Sequence, residues 1–197
     1  MREDLTGQQA LGLSFVASLA AGLVIWAATR KTEYSPNDLV TPERVLTIAR
    51  SFPQDEEGFA LAAIGWVRGH IQYKPLSTDI TFEDGHIRCS DCIKPLDSLV
   101  KGEGNCVTQA LLLTSLLRNL FPADRVYTTL GSVSHNGVSG HAWVLLEKDG
   151  WLIMDSTTAR DFIPVENQSY CPSIYFNDKL IVSEPGEKVC IKASKRQ

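Results

Sequence analysis

From Asn105 to Asn119 the chain reads NCVTQALLLTSLLRN, a helical stretch that is apolar around most of its circumference. Val107, Ala110, Leu111, Leu113 and Leu117, with their neighbours, leave no broad polar face for solvent. Such a helix is stable only with other elements wrapped around it. It must therefore be the centre of the fold.

Upstream, the apolar spacing is helical. Thr41 is a plausible N-cap, Pro42 suits the first helical position, and Glu43 favours the positive helix end ahead of RVLTIARSF. Pro53 ends that helix. A second, DEEGFALAAIGWVRGHI, is acidic at its start and sets Phe59, Ala62, Ala63, Trp66 and Val67 on one side. His70 falls at its end, within reach of the terminal carbonyls. Residues 76–101 read as mostly irregular, with EDG as a turn. FPAD stops the central helix. The pattern then changes to period two in RVYTTLGSV, HAWVLLE, WLIMDST, SIYF and KLIVS. Helices followed by antiparallel strands predict an α+β domain.

Residues 10–28, ALGLSFVASLAAGLVIWAA, run 19 positions without a charge. At ~1.5 Å per residue they span about 28 Å, close to the hydrocarbon core of a bilayer. A cleaved signal peptide or a buried helix are the rival readings. The acidic start (Glu3, Asp4) and the length of the run favour a retained anchor. The expected organisation is a short tail (1–9), a transmembrane helix (10–29), a linker (30–40) and one domain (41–197). Arg30 and Lys31 after the run favour a cytoplasmic domain. The formal net charge of −4 and the lack of a basic cluster argue against a nucleic-acid partner.

Cys106 marks the chemistry. Gly102 and Gly104 let the chain turn, Asn105 can cap, and Cys106 then lies in the first helical turn. Unpaired N–H groups and the helix dipole there favour a thiolate, and the same N–H groups can face an oxyanion. A buried structural cysteine is the bland alternative. On the following strands, His141 shares a face with Trp143 and Leu145, and Asp155 with Trp151 and Ile153. The turn between them decides whether the two meet. A two-residue loop sets them on opposite faces. A three-residue loop, Lys148-Asp149-Gly150, pairs Glu147 with Trp151 and brings Asp155 diagonal to His141 on the same face. The odd-length loop is expected. A carboxylate on an otherwise apolar strand needs a partner, and an imidazole N–H would supply one. Otherwise Asp155 simply caps the turn at STT.

GEGNC before a helix, GHAWV on a strand and W-x3-D-S-T on the next resemble the transglutaminase-like superfamily. The order Cys, His, Asp agrees, with separations of 35 and 14 residues. WVRGHIQY resembles the helix-into-strand segment that precedes the family's cysteine. The resemblance covers roughly residues 58–158. It implies a papain-like core in which a helix bearing the nucleophile packs on an antiparallel sheet. Carried onto the matching positions, it makes Cys106 the nucleophile, His141 the general acid/base and Asp155 the orienter. It also implies an oxyanion donor from the upstream segment, for which Gln72 is the candidate.

Cys89 and Cys92 have half of a zinc-site spacing, and His86 stands nearby. Cys171 and Cys190 complete the odd count of five and leave a four-cysteine zinc site, disulfides or separate thiols open. Peptide N-glycanases, one branch of the superfamily, resemble this in carrying Cys-x2-Cys pairs upstream. They have two pairs where this chain has one. The expected activity is a thiol-dependent attack on a peptide or protein amide, with no cofactor required and a structural zinc possible. The small domain and the lack of a calcium-ligand run favour hydrolysis over amine transfer. A catalytically inactive peptide-binding module of the same fold is the alternative.

Overall fold

Helices fill the earlier part of the described chain and a sheet fills the later part, as the change in periodicity predicts. A computed structural model describes residues 32–34, 43–75, 81–83, 86–89, 93–134, 138–159, 161–167, 169–179 and 181–183. The helices are α1 (Glu43–Ala49), α2 (Glu56–His70), α3 (Pro95–Lys101) and α4 (Cys106–Leu117). The strands are β1 (Thr32–Tyr34), β2 (Gln72–Tyr73), β3 (Thr81–Glu83), β4 (His86–Cys89), β5 (Glu103–Gly104) and β6 (Val126–Ser134), followed by β7 (Val138–Glu147), β8 (Trp151–Met154), β9 (Ile163–Pro164), β10 (Tyr170–Phe176) and β11 (Ile181–Ser183).

The chain divides into two compact units, Met1–Lys31 and Thr32–Gln197, and every described residue belongs to the second. Within the stretch expected as a linker, Thr32–Tyr34 pairs with β4, and residues 35–40 lie outside the described residues. No helix among the described residues is long and apolar enough to cross a membrane. Residues 10–28, where the anchor is expected, lie outside them, as do Thr41 and Pro42.

All twelve residues of α4 are buried. Leu111, Leu112, Leu113, Leu116 and Leu117 are fully enclosed, each contributing about 1.5–3 kcal/mol by leaving water. The polar residues of α4 are tethered to neighbours. Thr108 Oγ1 donates to the Ile93 carbonyl (2.8 Å), Gln109 Nε2 to the Ile71 carbonyl (3.1 Å), and Thr114 Oγ1 meets Thr128 Oγ1 at 2.7 Å. In α2, Asp55 caps the start by accepting the Gly58 N–H (2.7 Å), and His70 Nδ1 meets the Trp66 carbonyl (2.8 Å). Its buried face is Phe59, Ala60, Ala63, Ile64 and Val67, rotated from the expected one, and Ala62 and Trp66 are only partly buried.

Six strands form one antiparallel sheet in the order β11-β10-β6-β7-β8-β9. β6 and β7 pair from Val126↔Leu146 to Ser134↔Val138. Because side chains alternate, one face carries Val126, Thr128, Leu130, Ala142, Val144 and Leu146 and packs on α4 in the main core. The other face carries His141, Trp143 and Val133, of which Trp143 and Val133 build a second, smaller cluster with Ile153 and Tyr170.

The described residues between 76 and 101 hold more regular structure than expected. β3 and β4 form a hairpin in which Glu83 pairs with His86, and α3 follows. Pro95 at the helix start, Asp97 in its first turn, Lys101 in its last and left-handed Gly102 (φ 69°) after it are ordinary helix boundary signals.

Candidate active site

Two glycines shape the approach to Cys106, each for a different reason. Gly102 ends α3 in a left-handed conformation, donating to the Ser98 carbonyl (2.8 Å). Gly104 faces Thr108 so closely that a Cβ would lie 2.6 Å from its Cγ2. Between them β5 pairs in parallel with β2, through Gln72 N–H to Gly102 O (2.7 Å) and Lys74 N–H to Gly104 O (2.9 Å). Asn105 then caps α4, its Oδ1 accepting the Thr108 N–H at 3.0 Å. Cys106 is the first residue of that helix, a free thiol and 2% exposed.

The β7–β8 turn has the odd length expected. Glu147 pairs with Trp151, the Lys148 N–H reaches the Gly150 carbonyl (2.9 Å), and Asp149 and Gly150 both have positive φ (55° and 125°). This register carries Asp155 onto the His141 face. His141 Nε2 and Asp155 Oδ2 are 2.8 Å apart. Since an ionised carboxylate only accepts, Nε2 carries the proton and donates. Cys106 interacts electrostatically with the same ring. The flank of α4 thus covers one face of β7, while its tip meets a side chain that rises from the other.

Asp155 is fully buried, and donors surround both of its oxygens. Oδ1 accepts the Thr157 N–H (2.9 Å) and hydroxyl (2.6 Å). Oδ2 accepts the Thr158 hydroxyl (2.7 Å) and the Tyr170 hydroxyl (2.9 Å) besides His141. Burial pushes the carboxyl pKa up, but His141, Thr157 and Thr158 outweigh it and hold it far below the usual range. Burial pulls the His141 ring toward its neutral form. The hydrogen bond to Asp155, with the electrostatic influence of Asp155 and Cys106, wins and raises its pKa from 6.5 to about 9. The pair is thus poised as imidazolium and carboxylate. Asp155 also caps the turn through Thr157, so the bland role and the functional one coexist.

Sequence reasoning missed the groups around this pair. Thr157 and Thr158 were visible as STT, but not their direction. Tyr170 arrives from β10, three strands from β8 in the sheet. Arg68 reaches from α2 to donate to the Ser156 carbonyl (2.7 Å). Gln72 is exposed on β2 and bonds β5 through its backbone. Its neighbour Tyr73, also exposed, feels the charges of the site. Burial raises the Tyr73 hydroxyl pKa, and the charges of Cys106 and Asp155 raise it further.

No group of three or more His, Cys, Asp or Glu able to hold a metal occurs among the described residues. Cys89 ends β4 and Cys92 lies outside the described residues, as does Cys190. Cys171 is in a disulfide, which removes it from a four-cysteine zinc site.

Residues 46–156, more than half of the chain, match the transglutaminase-like superfamily. The chain belongs to that superfamily. The match includes Cys106, His141 and Asp155, the three positions that this transglutaminase-like domain brings together. Among solved structures, Legionella pneumophila LapG is 17% identical, with 82% of this chain and 94% of that one covered and a TM-score of 0.45. Its calcium-bound form gives 17%, 83%, 99% and 0.43. A proposed cysteine protease from Cytophaga hutchinsonii is 19% identical, with 69% of this chain and 44% of that one covered and a TM-score of 0.47. No curated protein matches the chain.

Proposed function

We propose that this domain is a thiol-dependent enzyme that attacks peptide or protein amides, with Cys106 as nucleophile, His141 as general acid/base and Asp155 as orienter. One observation carries the reading. A free cysteine at a helix N-terminus interacts electrostatically with an imidazole whose Nε2 is held 2.8 Å from a buried carboxylate. With Nε2 committed to Asp155, Nδ1 is the nitrogen left for Cys106. The imidazolium holds the proton drawn from the thiol there, and the thiolate adds to the amide carbonyl. In helix geometry the N–H groups of Cys106 and Val107 lack an intrahelical acceptor and can hold the oxyanion. Collapse of the adduct breaks the C–N bond as His141 returns the proton to the departing amine. Water, deprotonated by His141, then releases the acyl group and restores the thiol. Hydrolysis is favoured over transfer to an amine.

Peptide-library cleavage and amine-incorporation assays on wild type and Cys106→Ala test this. Cleavage by wild type alone is the expected result, and equal behaviour of the two proteins in both assays would remove the enzymatic reading. The near-complete burial of Cys106 favours a second reading, a peptide-binding module that does no chemistry. Iodoacetamide separates the two. The enzyme's Cys106 is alkylated rapidly near neutral pH, and the binding module's is not.

Residues 10–28 are proposed to tether the domain to a membrane. The disulfide at Cys171 supports an oxidising compartment, the reverse of the side favoured by Arg30 and Lys31. Alkylation of the isolated native protein with and without reduction checks this. Full labelling without a reductant would place the domain in the cytoplasm.

A further inference from the structure

Tyr170 reaches the site from a strand with no covalent proximity to it. Its hydroxyl donates to Asp155 Oδ2 at 2.9 Å, the same oxygen that His141 Nε2 meets at 2.8 Å, and lies 3.1 Å from Thr158 Oγ1. The ring is fixed. It is 4% exposed, it stands edge-on to Trp143 (centroids 5.2 Å apart, planes at 76°), and its strand pairs it with Val133. Trp143 in turn lies along the His141 ring, 6.2 Å between centroids at 26°. Tyr170 therefore touches the supports of the imidazole on both sides, through Asp155 and through Trp143, without touching Cys106's reaction path.

We propose that Tyr170 is a positioning residue which, by sharing Asp155 Oδ2 with His141, weakens the carboxylate's hold on the imidazolium and so sets the alkaline limit of the site's activity. The chemistry is that of any carboxylate with competing donors. Each hydrogen bond it accepts draws off charge that would otherwise stabilise the neighbouring cation. Burial is the main reason that the Tyr170 hydroxyl is pushed up to about 12; the charge of Asp155 adds to this and a hydrogen bond with Thr158 opposes it. Tyr170 therefore remains a donor throughout the range in which His141 titrates. The groups facing His141 and Asp155 are Cys106 from α4, Tyr170 from β10, Thr157 and Thr158 from the turn after β8, and Tyr73 from β2 through its coupling to Cys106 and Asp155. Arg68 from α2 holds the Ser156 carbonyl beside them. Tyr170→Phe leaves all of these in place and removes one donor.

The role of Tyr170 in activity rests on the Cys106–His141–Asp155 reading above. Its electrostatic core can be read without substrate, by NMR titration of the His141 ring in the full chain. Tyr170→Phe should raise the His141 midpoint by about half a pH unit or more, and the alkaline limb of the kcat/KM profile should move with it. Site-specific 3-fluorotyrosine at 170, a more acidic donor, should shift both the other way. This second variant keeps the phenol and decides the matter if Tyr170→Phe folds poorly. An active enzyme in which neither variant moves the His141 midpoint overturns the proposal and leaves the catalytic reading intact. Midpoints that shift in opposite directions in a wild-type background without activity sink the catalytic reading and leave the coupling standing.

Discussion

Asp155→Asn is the substitution that most directly interrogates the site, because the side chain's shape survives while its charge and one acceptor do not. Asp155 is fully buried, so water cannot compensate. An asparagine carbonyl in the place of Oδ1 keeps both donors of Thr157 (2.9 and 2.6 Å). Its NH2 then occupies the place of Oδ2, where His141, Thr158 and Tyr170 converge at 2.7–2.9 Å. Both hydroxyls can turn and accept. His141 can do so only by moving its proton from Nε2 to Nδ1, where it blocks uptake of the Cys106 proton. Activity should fall about ten-thousand-fold, as the same change does in a serine-dependent triad. The fold should lose only about 1–3 kcal/mol, since the hydrogen bonds persist without charge assistance. At about 2–4 °C per kcal/mol for a domain of this size, that is a modest drop in Tm. Asp155→Ala leaves the donors unanswered and should cost about 3–5 kcal/mol. Steady-state kinetics, thermal unfolding and iodoacetamide labelling of Cys106 read the three effects separately. An asparagine variant alkylated as fast as wild type would show that Asp155 does not govern the imidazole.

Gly131 lies opposite His141 on β6, and a Cβ there would come within 2.1 Å of the Cys171 carbonyl oxygen and 2.6 Å of Trp143 Cη2. Gly131→Ala should destabilise by about 1–3 kcal/mol and slow turnover through Trp143, and an unchanged urea midpoint would refute the packing argument. The ionised pair should also shape stability against pH. His141 has a folded pKa raised to about 9, so its contribution is complete below about 6.5 and fades as pH rises toward 9. Asp155 is depressed, so its contribution holds above its ordinary value of 3.8 and is lost as pH falls below it. Urea midpoints from pH 3 to 10 should trace both limbs, and His141→Gln should flatten the alkaline one.

The burial of α4 was legible because an apolar circumference admits no other fate. The approach of His141 and Asp155 was legible because strand alternation and turn length are both countable in a sequence. Tyr170 was not, since nothing local tells that β10 lies beside β6 and three places from β8. The pairing of β2 with β5 was not legible either, since a two-residue strand shows no alternation and its partner lies far along the chain. The helix α3 was overlooked for a different reason. Its boundary signals at Pro95 and Gly102 are present, but seven residues are too few to show a repeat.

The turn at Lys148–Gly150 makes the site sensitive to chain length as well as to side-chain identity. Lengthening or shortening it by two residues would leave every inward side chain of β8 inward. A change of one would exchange the strand's faces wholesale, driving Asp155 toward the leucines of α4 and Met154 out toward the imidazole. Loop engineering here should therefore proceed only in even steps.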